Sequence, residues 1–183
     1  MDVRGTSPTL PGVTSPRFHY VGPAAIRASC EGNPAGRVIE NAESLRAWLA
    51  NLQREDRDAD GWATYTIGTD GLLRLAHRRT EHVACAGAGE VLAAGEVQFD
   101  PSGEVVWLSN NSTGFCPDLS SFEAVSATFS AAGLSPPPAF DHAVVFRRCR
   151  ACGERSVIKD DDFRCGVCEA PVSRVWNFDL ALG

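Results

Sequence analysis

Residues 62–76 read WATYTIGTDGLLRLA, and residues 91–108 read VLAAGEVQFDPSGEVVWL. Each stretch is a pair of apolar runs joined by a turn. In the first, Asp70 and Gly71 form a hairpin signal, because Asp-Gly tolerates the positive φ that a tight turn requires. In the second, DPSG over residues 100–103 does the same work. The alternation in residues 62–67 predicts a half-buried strand, and residues 72–76 return beside it. Two hairpins in succession build an antiparallel sheet. The chain has no strand–helix–strand alternation, no GxGxxG and no Walker pattern, which argues against a doubly wound nucleotide-binding fold.

Two helices flank the hairpins. Asn41 opens one, with Leu45, Trp48, Leu49 and Leu52 on a single face and a highly charged end over residues 54–60. Ser120 or Ser121 caps the other, which carries Phe122, Val125 and Phe129 inward to about Ala132 and stops at Gly133. Pro136, Pro137 and Pro138 form a stiff linker. Upstream, residues 17–26 mix aromatics with Gly22 and Pro23 and read as a short strand entering a turn, and residues 30–36 read as a loop. Residues 143–146 form a strand leading into the C-terminal module. The fold class is therefore α+β: a twisted antiparallel sheet of β-hairpins with a few helices, plus a C-terminal four-cysteine zinc ribbon. The expected divisions are a flexible tail over 1–16, an α+β domain over 17–146 and a ribbon over 147–178, packed on the domain through Trp176 and Phe178.

The ribbon rests on Cys149 and Cys152, twelve residues, then Cys165 and Cys168. Each CxxC pair supplies two thiolates from one tight turn, and the intervening residues bring the second turn back to complete a tetrahedron. A Zn²⁺ held by four thiolates has no open position, so its expected role is structural. The same spacing suits a four-cysteine iron site, redox-active pairs or disulfides. Gly153 and Gly166 are the residues expected to give the two knuckles positive φ. Arg148, Arg150 and Arg164 place positive charge beside the thiolates.

Composition bounds the rest. The net charge is −6, which argues against general nucleic-acid binding. The charge is uneven: from Ala143 onward seven basic residues outnumber six acids, so the acidic excess lies upstream. Lys159 is the only lysine, and this Ala- and Arg-rich usage associates with a GC-rich bacterial genome. No run approaches eighteen apolar residues, and residues 1–16 hold no apolar stretch of the signal-peptide kind, so neither membrane nor targeting segment is expected. Four of the seven cysteines belong to the ribbon and Cys30, Cys85 and Cys116 are scattered, which fits a reducing cytoplasm.

Residues 62–134 resemble a domain of the plant IQ-motif calmodulin-binding family, which has bacterial and fungal relatives. The blocks that carry the resemblance are TEHVACAG over 80–87, AAGEV over 93–97 and STGFCP over 112–117. In the family they read approximately HSSFLAG, AAGxL and SGHYRP. The family's His-Tyr pair falls here on Gly114 and Phe115, and its Arg on Cys116. The chain lacks an IQ motif, so the resemblance implies a fold and not calmodulin binding.

Two loops carry the remaining chemistry. Glu81, His82 and Cys85 lie within five residues, and a Cys/His pair can make a nucleophile when the imidazole lowers the thiol pKa. The plainer alternative is a turn with a core cysteine and a locally bonded histidine. In the loop over residues 109–118, Asn110 and Asn111 precede Cys116, an order that resembles ubiquitin-conjugating enzymes but without their His-Pro-Asn triplet. Here the alternative is a loop stabilised by its own Asn, Ser112 and Thr113 side chains, with Phe115 plugging the core. His142 precedes a strand and is either structural or a partner for Cys116. His19 and Tyr20 resemble the His-Tyr start of ADP-ribosyltransferase-like folds, with no paired glutamate motif following. The loops over 78–89 and 109–118 enter and leave one hairpin, so they are expected side by side, gathering Arg78, Arg79, Glu81, His82, Asn110, Asn111 and Ser112. Two functions follow: a zinc-stabilised, non-enzymatic binding or adaptor protein for a protein partner or small ligand, or a cysteine-dependent transferase or hydrolase using Cys116 or Cys85 with His82 or His142.

Overall fold

A computed structural model describes residues 16–179. The expected tail over 1–16 falls almost wholly outside them. Helix α1 (Ala24–Cys30) leads to the short strand β1 (Arg37–Ile39), helix α2 (Ala42–Glu55) and the hairpin β2 (Trp62–Gly68) and β3 (Leu73–His77). A single helical turn, α3 (His82–Cys85), precedes the second hairpin, β4 (Val91–Phe99) and β5 (Val105–Leu108). Helix α4 (Phe122–Ala131) follows, and β6 (Val145–Arg148) and β7 (Arg155–Ile158) form a separate two-stranded sheet. The larger sheet has the order β1-β3-β2-β4-β5 and is antiparallel throughout. The architecture is α+β, as the hairpins predict.

Strand β2 lies at the centre, and that placement changes its burial. The alternation of residues 62–67 predicts one wet face, yet residues 63–67 are all buried. One face, with Ala63, Tyr65 and Ile67, packs with Leu73, Leu75, Val97 and Phe99 beneath Leu45 of α2 and Val125 and Phe129 of α4. The other face carries threonines. Thr64 Oγ1 donates to the Thr80 carbonyl at 3.1 Å, and Thr66 Oγ1 donates to Cys85 Sγ at 3.4 Å. Polar residues on this face thus mark bonded burial under α3, not solvent. Beside them a second core gathers Phe18, Cys30, Val83, Val91, Ala94 and Phe115.

Local signals set most boundaries. Asn41 Oδ1 accepts from the Ser44 N–H at 2.9 Å while Ser44 Oγ accepts from the Asn41 N–H, a reciprocal capping box that starts α2. At α4 the expected serine cap is replaced. Asp118 accepts from Ser120 N–H and Oγ, a 3-10 turn (Leu119–Ser121) leads in, and Ser121 makes no capping bond. The strand expected over residues 17–26 reduces to one bridge, Phe18 with Val91, and Ala24–Cys30 is helical. Pro23 sits at its N-cap position, where its missing N–H costs nothing, and the Ala-rich run after it favours helix. Gly95 explains the AAGEV block: a Cβ there would collide with the Ser109 carbonyl oxygen.

Candidate metal centre and its surrounding loops

The two knuckles are built alike. In the first, Cys149 N–H donates to the Glu154 carbonyl at 2.8 Å and Gly153 N–H to the Cys149 carbonyl at 2.9 Å. In the second, Cys165 N–H donates to the Ala170 carbonyl at 2.9 Å and Glu169 N–H to the Cys165 carbonyl at 3.0 Å. Each turn closes on a left-handed residue just after its second cysteine: Gly153 with φ 79° and Glu169 with φ 60°. Gly153 meets the expectation. Gly166 does not, because the conformational demand falls at the position of Glu169. Left-handed backbone costs an L-residue about 1–2 kcal/mol. Glu169→Gly is therefore expected to raise ribbon stability by up to about 1 kcal/mol after the entropy of glycine is subtracted. Metal retention against a competing chelator measures it, and faster loss than in the parent would contradict the assignment.

The four sulfurs all lie within 4.8 Å of one another. Cys149 and Cys168 approach to 3.6 Å, as do Cys152 and Cys165. Four ligands about 2.3 Å from a central ion stand about 3.8 Å apart along a tetrahedral edge, whereas a disulfide requires about 2.05 Å. The spacing fits four thiolates around one ion, and all seven cysteines are free. The thiols titrate as one crowded set: the backbone N–H of Cys168 pulls the Cys165 thiol down, while, against the pull of the Glu154 N–H, burial and the neighbouring sulfurs push the Cys152 thiol up. Cys149 and Cys165 are buried, while Cys152 and Cys168 are exposed. The set can hold a metal ion, and its chemistry is that of a soft tetrathiolate site.

Side chains seat the ribbon. Strand β6 pairs with β7, and side chains grip the backbone along it and at Val144 just before it. Asn110 Oδ1 accepts from the Val144 N–H at 2.7 Å, and its Nδ2 donates to the Val144 carbonyl at 2.8 Å and the Pro117 carbonyl at 3.2 Å. Asn177 grips Arg148 in the same two-way fashion, with both bonds at 2.8 Å. Between them, Arg147 Nη1 donates to the Phe146 carbonyl. An edge that could pair with another chain is thereby closed. Phe146 and Phe178 bury against Val144 and Cys116, Trp176 meets Phe18 edge-on at 5.3 Å, and the Trp176 indole N–H donates to the Cys116 carbonyl at 2.8 Å.

The sequence-derived candidates occupy distinct surroundings. Cys85 and Cys116 are fully buried. Burial pushes the Cys85 thiol up to about 11 and the Cys116 thiol up to about 12. Cys85 Sγ bonds Thr66 and backbone carbonyls, and Cys116 Sγ donates to the Thr113 carbonyl, so neither has an imidazole partner. His82 Nε2 meets the Gly95 carbonyl at 3.0 Å, and Asn111 Nδ2 meets Glu96 Oε2 at 3.4 Å, so the two loops dock on successive residues of β4. Asn110 and Ser112 are buried, and the Ser112 hydroxyl lacks a partner. Arg78 lies 5.3 Å over the Trp62 ring, while Arg79 and Glu81 are exposed. His142 stacks on Trp107 with ring centroids 6.2 Å apart, and Trp107 meets Trp62 at 4.8 Å. Tyr20 packs edge-on against Phe115. Sequence reasoning missed Asn177 and Glu96, which no spacing rule singles out.

Burial also depresses the His82 pKa below its ordinary 6.5. The unfolded chain then takes up the proton first, so stability should be complete above about pH 6.5 and fall as pH drops below it. His82→Gln should show a shallower loss of urea resistance between pH 7.5 and 5. Equal slopes in the two proteins would show that the imidazole stays neutral for no energetic reason.

Comparison with family models, with curated proteins and with solved structures finds no match to this chain. Among the described residues, no helix is long and apolar enough to cross a membrane.

Proposed function

We propose that the chain is a zinc-stabilised, non-enzymatic binding or adaptor protein, in which Cys149, Cys152, Cys165 and Cys168 hold a structural Zn²⁺. One observation carries this reading: the four sulfurs lie within 4.8 Å of one another, which supports a four-cysteine zinc site, and such a site has no open position for water or substrate. Zinc suits four thiolates better than the harder divalent ions do. The contact surface for a protein partner or small ligand is assigned to the exposed members of the loops over 78–89 and 109–118, Arg78, Arg79 and Glu81 foremost. They stand on a rigid hairpin, the usual setting for recognition. Chemistry at Cys85 or Cys116 is the weaker reading, because a buried thiol held far above neutral pKa is a poor nucleophile. The order of hairpin, turn, hairpin, loop and helix in residues 62–134 supports kinship with the domain of the plant IQ-motif family and brings no activity with it. The free, buried thiols support a cytoplasmic setting.

Native mass spectrometry of protein purified under reducing conditions should find one zinc per chain and no iron. Iodoacetamide at neutral pH should leave Cys85 and Cys116 unmodified in the metal-loaded protein. Rapid stoichiometric alkylation of either, with metal retained, would replace this reading with the cysteine-dependent enzyme.

A further inference from the structure

A groove of about 700 Å³ opens between α2 and the β1–β3 end of the sheet. Its size lies within the range of small-molecule sites, roughly 300–1,000 Å³. Trp48 and Leu52 of α2 and Val38 of β1 give it an apolar floor. Two arginines line it from different elements, Arg37 from β1 and Arg54 from α2.

The charge pattern is what points to a ligand. Among the described residues neither arginine forms a salt bridge, although acids outnumber bases in the chain by 23 to 17. Arg54 Nη2 has only the neutral Asn51 Oδ1 at 2.7 Å, and no hydrogen bond engages the Arg37 guanidinium. Of the acids at this end, Asp56 has a charged partner, whereas Glu55 lines the groove with only a neutral one. Glu55 accepts from Asn51 Nδ2, and Asp56 pairs with His77 at 2.8 Å, a contact that helps hold its carboxyl below the ordinary range. The His77 ring is used at both nitrogens, since Nδ1 accepts from the Arg79 N–H at 3.2 Å. The groove is thus lined by two unpaired guanidiniums against one unpaired carboxylate, that of Glu55, so positive charge is in excess beside an indole.

We propose that this groove binds a small organic anion with a flat apolar body, its acidic group held by Arg37 and Arg54 and its ring lying on Trp48. Guanidinium forks match planar oxyanions and add strength through charge-assisted bonds. The groove borders the 78–89 loop at Thr80 but is not lined by Arg78 or Arg79, and it stands or falls independently of the partner surface assigned to those arginines.

The test uses the full-length, metal-loaded protein and 2-naphthalenesulfonate as probe, followed by amide chemical-shift mapping and calorimetry. The expected result is saturable binding with shifts centred on Arg37, Val38, Asn51 and Thr80. Arg37→Gln with Arg54→Gln should weaken binding by about tenfold or more while leaving the melting temperature unchanged, because both side chains are exposed. The neutral analogue 2-naphthalenemethanol should bind comparably weakly, and Arg79→Gln should change nothing. Absence of saturable binding at millimolar probe, equal affinity in the double variant, equal affinity of the neutral analogue, or shifts centred elsewhere would each overturn the proposal.

Discussion

Removing the metal with a chelator is expected to lower the melting temperature by roughly 10 °C and to make Cys116, but not Cys85, reactive toward a thiol reagent. The magnitude follows from what the ribbon holds in place. Phe178 is buried and Trp176 is partly buried, and both lie on the segment after Cys168. Burial of such side chains contributes about 1.5–3 kcal/mol each, and in a protein of this size one kcal/mol corresponds to about 2–4 °C. Without the ion the four thiolates repel, the knuckles lose their anchor, and the segment carrying Trp176, Asn177 and Phe178 has nothing to hold it. Cys116 lies under that segment, tied to it through the Trp176 indole. Cys85 lies under α3, where its thiol bonds Thr66 and the Thr64 and Arg74 carbonyls and makes no bond to that segment. Cys152→Ser should reproduce the chelator effect. An unchanged melting temperature with Cys116 still protected would mean that the ribbon contributes nothing to the body it sits on.

How much of this was readable from the residues divides along physical lines. The hairpins, α2 and the four thiols rest on local signals: Asp70-Gly71, DPSG, the Asn41 cap and paired CxxC turns each act within a few residues. Those features therefore appear in the structure near their expected bounds. Long-range placement was less legible. Nothing in residues 62–67 says that β2 is central, so the threonines at 64 and 66 read as a wet face when they are bonded beneath α3. The helix Ala24–Cys30 has no capping side chain, and its Gly22-Pro23 entry reads equally well as a turn out of a strand. At the ribbon, glycine identity pointed to Gly166, while the bond pattern places the strained position at Glu169. The groove between α2 and β1 has no sequence signature, because residues far apart in the chain assemble it.

Asn110→Ala is expected to destabilise the protein by about 3–5 kcal/mol, whereas Asn111→Ala one residue on should cost under about 0.5 kcal/mol. The two side chains share a type and a loop but not a task. Asn110 is wholly buried, and its carboxamide completes the Val144 backbone in both directions while also reaching the Pro117 carbonyl. Truncation leaves three buried backbone groups without partners, and each orphan costs about 1–3 kcal/mol, partly offset if water enters. Asn110→Asp is no remedy: the carboxylate can still accept from the Val144 N–H, but both donors are lost and a charge is buried. Asn111 is half-exposed and makes one long bond to Glu96, which water replaces at little cost. The comparison also separates folding from recognition. If Asn110→Ala melts within about 1 kcal/mol of the parent yet impairs partner binding, the clamp is not structural and the residue belongs to the contact surface. If it unfolds as expected, the 109–118 loop owes its shape to the strand that enters the ribbon. Metal loss and loop disorder should then travel together, so that the chelated parent and Asn110→Ala show the same newly mobile amides around Cys116.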